Sequence, residues 1–170
     1  MLDLIASKAK AALLCIISIA FLAACKTYAP SDRMLGMSRE QVIAALGAPY
    51  PLPAELEQAK RLDFPRGPFG KHTYSVQFDE DGKATAYRQL LIEENFRQIT
   101  PGMDVSEVIE RIGMSRDTFG LARKRGYVWN FRYITPLCQW FQIEFTAEHK
   151  VRSTGYGMPP ECRPKVIVVH

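Results

Sequence analysis

Four cysteines, three histidines and a few carboxylate pairs are the groups in this sequence with chemistry to offer. His72, His149 and His170 are isolated, and none stands at ligand spacing from a cysteine, so no metal site is expected. Glu93-Glu94, and Glu55 with Glu57, fall in linkers, where a carboxylate is expected to be solvated. Neither a nucleophile elbow nor a glycine-rich phosphate or dinucleotide loop occurs. The chain therefore reads as a binding protein rather than an enzyme, and no cofactor is expected.

The cysteines divide by position. Lys8 and Lys10 precede an apolar run over residues 11–22, which ends in Leu22-Ala23-Ala24-Cys25. Basic region, apolar region and small residues are the parts of a secretory signal, and the run is short for a membrane span. A cysteine directly after Leu-Ala-Ala resembles the lipobox of bacterial lipoproteins, whose thiol becomes a diacylglycerol thioether when the preceding peptide is removed. On that resemblance residues 1–24 are a signal peptide, Cys25 is the lipidated first mature residue, and the protein meets the membrane through its lipid. The other reading is an ordinary secretory signal or short anchor with Cys25 a small buried hydrophobe. In such lipoproteins an Asp after the cysteine favours the inner membrane; Lys26 stands here and points to the outer membrane, facing the periplasm.

Loss of residues 1–24 removes Lys8, Lys10 and Asp3, which lowers the formal net charge of +4 by one. So small an excess gives no reason to expect nucleic acid. Cys138 and Cys162 remain, flanking the last predicted hairpin; in an oxidising compartment they form a disulfide or stay as two separate buried thiols.

Two further groups are candidates for binding. Tyr127, Trp129, Phe131 and Tyr133 alternate on one side of a predicted strand, either as an interface stripe or as core beneath a helix. Trp140 is out of phase with Phe141, Ile143 and Phe145, which predicts that it lies on the opposite, open face. Arg123-Lys124-Arg125 forms a basic cluster, read as a solvated loop or as a contact for anionic phospholipid or an acidic partner.

What positions these residues is a repeat. Gly36-Met37-Ser38, with Val42, Ile43, Leu46 and Gly47, returns as Gly102-Met103-Asp104, with Val108, Ile109, Ile112 and Gly113. Each copy predicts a short helix: Ser38 or Asp104 caps it, Gln41 or Glu107 closes a capping box, and the second glycine stops it. A helix of about nine residues is marginal alone and must lie on something. After the first copy, strands are predicted over 61–64, 72–78 and 84–92, the last two joined by an Asp-Gly turn. After the second they are predicted over 127–134, 139–145 and 151–156, with residues 114–126 as a connection and 166–169 as a further edge strand. One more helical turn is expected over 54–60.

The fold class expected is thus α+β: two tandem repeats, each a short helix packed on a three-stranded antiparallel sheet. The boundaries expected are 1–24 for the signal, 25–33 for a tether, 34–98 and 99–162 for the repeats, and 163–170 for a tail.

The element carried by Gly36, Met37, Ser38, Val42, Leu46, Gly47 and Pro49, followed by Phe78-Asp79-Glu80-Asp81-Gly82, resembles the SmpA/OmlA (BamE-like) outer-membrane lipoprotein family. The second copy departs from it, with Asp104 for the hydroxyl residue, Ser115 for the proline and no glycine in its hairpin turn. Tandem copies look like β-lactamase inhibitory protein-like folds, whose concave aromatic face grips another protein. The resemblance implies an accessory role in outer-membrane protein assembly or envelope integrity, with an envelope protein partner such as the β-barrel assembly machinery. The other implication is an inhibitor-like module that binds a periplasmic or secreted enzyme.

Overall fold

The computed structural model describes residues 28–52, 60–123 and 125–163. Cys25, the signal, Lys124, most of the helical turn expected over 54–60 and the strand expected over 166–169 lie outside them. No helix among the described residues is long and apolar enough to cross a membrane.

The architecture is mostly β, which corrects the expected pair of helix-plus-three-strand units. One sheet has three strands, β1 (Arg61–Arg66), β2 (His72–Phe78) and β3 (Ala84–Gln89); the other has four, β4 (Asp117–Leu121), β5 (Gly126–Arg132), β6 (Trp140–Thr146) and β7 (Val151–Gly157). Every pairing is antiparallel between chain neighbours. The described helices are short: α1 (Arg39–Leu46), α2 (Glu93–Phe96) and α3 (Val105–Ile112). β4 lies inside the stretch read as a connection. Its middle residues Thr118, Phe119 and Gly120 are all exposed, so it has none of the apolar alternation that betrays a half-buried strand.

Local signals account for where the helices begin and end. At α1 the Ser38 amide donates to Gln41 Oε1 at 2.9 Å, and at α3 the Asp104 amide donates to Glu107 Oε2 at 3.0 Å. Gly47 and Gly113 follow the helices at φ 90° and 78°, a region closed to most L-residues. The loop before each helix is stitched to its sheet in the same way. The Gly36 amide donates to the Ala84 carbonyl and the Ala84 amide to the Met37 carbonyl; Gly102, Val151 and Met103 repeat that pair of bonds.

Packing is less even than the repeat. α1 buries only Val42, in a small cluster with Met34, Phe64, Val76, Phe78 and Ala84. α3 buries Val108, Ile109 and Ile112 in a larger core with Trp129, Phe131, Tyr133, Phe141, Ile143 and Phe145. That core also takes Leu52 from before the first sheet, and Leu90, Leu91, Phe96 and Ile99 from the segment between β3 and α3. The core of the second sheet is thus completed by residues that precede α3, whereas the small cluster is closed within the first repeat.

A polar junction closes the remaining gap. Arg61, on the face of the first sheet turned from α1, donates from Nη1 to the Glu110 carbonyl at 2.8 Å and from Nη2 to the Ile109 carbonyl at 2.9 Å. Arg88 on β3 adds a bond to the Glu110 carbonyl at 2.7 Å. The last carbonyls of a helix have no partner within it, and a cation there also meets the negative end of the dipole. Arg66, at the other end of β1, serves the Leu46 carbonyl of α1 at 2.7 Å. The start of the described chain is held as well: Tyr28, within the expected tether, stacks on His72 with ring centroids 4.9 Å apart.

Candidate functional site

Strand alternation sorts the four-stranded sheet into two faces. Trp129, Phe131, Phe141, Ile143 and Phe145 face the core. The pairings place Asp117, Asn130, Gln142 and Gly155 in one row across the other face, Phe119, Val128, Glu144 and Ser153 in a second, and Arg132, Trp140 and Gly157 in a third.

This outer face is bound by a polar lattice. Asn130 Nδ2 donates to Asp117 Oδ1 at 2.9 Å, and Gln142 Nε2 donates to Asn130 Oδ1 at 2.7 Å. Arg132 is its hub. It pairs with Asp117 through Nη1 and forks onto Glu161, with Nε to Oε1 at 2.7 Å and Nη2 to Oε2 at 3.1 Å. Its guanidinium carbon also lies 5.0 Å from the ring centroids of both Phe69 and Trp140, a planar cation between two aromatic faces. The hydrogen bonds to Glu161 raise the Arg132 pKa further above its ordinary value, and the same bonds hold the Glu161 carboxyl below the usual range. Cys138 and Cys162 are joined as a disulfide with Cα atoms 6.1 Å apart. The bond fixes the turn that carries Glu161.

Burial places the expected binding residues. Trp140 does lie across the sheet from Phe141 and Ile143, yet it is only 7% exposed, covered by Arg132 on one side. Gly157 leaves the room on the other, since a Cβ there would lie 2.7 Å from the indole Nε1. It is a packed support and not a free surface anchor. Trp129, Phe131 and Tyr133 are core, and Tyr127 is half-buried, stacked on Phe145 at 4.9 Å with its hydroxyl 2.9 Å from His149 Nδ1. Their phase could not choose between core and interface; the helices above them do. Arg123 and Arg125 are exposed in the β4–β5 turn.

Glu93 is not solvated linker charge. It accepts from the Tyr133 hydroxyl at 2.5 Å and from the Tyr156 hydroxyl, and these bonds lower its pKa. Burial, aided by Glu93, pushes Tyr156 up to about 12.

Sequence reasoning missed Phe69, Asp117, Asn130, Arg132, Gln142 and Glu161. The polar residues of β5 and β6 were legible as the out-of-phase set beside Trp129 and Phe141. Glu161 and Phe69 reach Arg132 from distant turns and had no local signal.

What the face offers a partner lies at its free margin. β4 pairs with β5 alone, so one side of its backbone is unpaired among the described strands. Phe119 stands out from it at 47% exposure. Phe119 and Leu121 border a groove of about 290 Å³ that runs across Val128, Gln142 and Glu144 to Ser153. Among the described residues no group of three or more histidine, cysteine, aspartate or glutamate side chains is placed to hold a metal. No family model matches the chain, and comparison with curated proteins returns no match.

Proposed function

We propose that this chain is a lipid-anchored, periplasm-facing protein that works by binding another envelope protein, as an accessory factor in outer-membrane protein assembly or envelope integrity. The observation that carries the binding role is β4, an exposed edge strand with Phe119 beside a groove. An unpaired edge is a template for an added strand, and alternate side chains of that strand would find Phe119 and the groove. The lipobox-like residues before Cys25 and the SmpA/OmlA-like element over residues 36–49 support the anchor and the setting. Exposed Arg123 and Arg125 suit contact with anionic phospholipid.

A photoreactive residue at position 119 in intact cells tests this reading. Barrel-assembly components captured there, and lost when Thr118 is replaced by proline, are the expected result. A single hydrolase would move the reading to an inhibitor, and absence of any adduct at position 119 would remove β4 as the docking edge. Cys25→Ala should leave the membrane fraction; continued incorporation of labelled palmitate by that variant would end the anchor assignment.

A further inference from the structure

A second site lies where the two sheets meet; it does not depend on the anchor, and it takes Asp117 and Thr118 from the first end of β4, away from Phe119. It is a cleft of about 420 Å³ with Leu91 and Phe131 as apolar floor, Tyr50 and Phe69 on the wall from the first half, and Met114 and Arg116 on the wall from the second. That volume is in the range of small-molecule and side-chain pockets.

The charged groups around the cleft are paired among themselves except for one. Asp117 is spent on Arg132 and Asn130, and Arg132 on Asp117 and Glu161. Arg116 remains. Its guanidinium carbon lies 5.1 Å from the Tyr50 ring centroid, and among the described residues it makes no ion pair or hydrogen bond. An exposed cation held over an aromatic wall is oriented but uncompensated, and its forked donors match a carboxylate.

Phe69 marks the same place by a different route. It is 68% exposed and sits at φ 58°, in the left-handed region that a bulky side chain rarely enters. The flanking Gly67 and Gly70 also have positive φ, so the whole tip is built to present this ring at the lip. Such a conformation persists where the surroundings enforce it, and it clusters at binding sites.

We propose that this cleft binds a compact apolar group carrying a single carboxylate, with the apolar body between Tyr50 and Phe69 and the carboxylate on Arg116. Two sources have that chemistry: a free aromatic acid, and the C-terminal residue of a peptide.

Titration of the purified chain with N-acetylphenylalanine, its carboxamide and a tetrapeptide ending in phenylalanine tests it, with binding read by calorimetry and by the NMR shifts of Met114 and Phe69. The acid is expected to bind at least about tenfold more tightly than the amide, the effect of one charge-assisted contact. Arg116→Gln should erase that preference, Arg116→Lys should keep part of it, and Phe69→Ala should weaken acid and amide alike. An unchanged melting temperature in Arg116→Gln would exclude misfolding. A tetrapeptide tighter than the single residue identifies a peptide terminus as the source; equal affinity identifies the free acid. Acid and amide binding equally, an acid preference that survives Arg116→Gln, or no saturable shift up to about 10 mM would overturn the proposal.

Discussion

Arg61 Nη2 lies 2.6 Å from Asp63 Oδ2, and the Asp63 side chain is fully buried where the first sheet meets the end of α3. Removing one partner of such a pair leaves an uncompensated charge away from water and costs about 3–5 kcal/mol. Arg61→Met also unties the Ile109 and Glu110 carbonyls. It should therefore reach the upper part of that range in urea unfolding, while Arg61→Met with Asp63→Leu recovers most of the loss. Additive losses in the double variant would show that the helix carbonyls, and not the stranded carboxylate, carry the effect.

Glu93 sets a pH dependence. Its folded pKa is below its unfolded value, so its contribution is fully present above the ordinary carboxyl value of 4.5 and is lost as pH falls through the folded pKa. Glu93→Gln should flatten the acid side of a plot of stability against pH. Tyr156 has the opposite sign: raised from 10.0 to about 12, its contribution is complete below 10.0 and is lost as pH rises through about 12. Tyr50, Tyr74, Tyr87, Tyr127 and Tyr133 are raised as well. Spectrophotometric titration should therefore show several ionisations above 10.0, with the component at about 12 lost in Tyr156→Phe and brought earlier by Glu93→Gln.

The disulfide joins residues 24 apart in sequence. Closing a loop of that length contributes about 3 kcal/mol by the chain-entropy account. Reductant should lower the melting temperature of the native chain and leave that of Cys138→Ser with Cys162→Ser unchanged. Equal response of both proteins would place the reductant's effect elsewhere.

Trp140→Ala should destabilise the fold by about 3 kcal/mol, as large-to-small changes at buried aromatic sites do. Its phase alone suggests a harmless surface change. Differential scanning calorimetry decides between them.

The difference between those two readings of Trp140 shows what sequence patterning carries. Alternation told which side of β6 the indole takes, because Cβ direction is local. It could not tell that Arg132 covers the indole and that Gly157 leaves room for it, because those contacts join residues on three different strands. The same division holds elsewhere. Capping residues and glycines marked the ends of α1 and α3, and the alternation of residues 72–78 marked β2, since each signal sits within one turn or strand. β4 was invisible because an edge strand exposed on both faces needs no apolar pattern, and with it went the architecture. Glu93 read as solvated charge because its two tyrosine donors lie 40 and 63 residues away.

The stack of Tyr28 on His72 has a bearing on orientation. Under the proposed acylation of Cys25, three peptide steps separate the lipid from that stacked ring, a reach of about 11 Å at full extension. A leash so short cannot let the body roam above the bilayer. It would keep the Gly67 tip, which lies against Tyr28, near the headgroups, so the proposed anchor would govern the tilt of the molecule as well as its address.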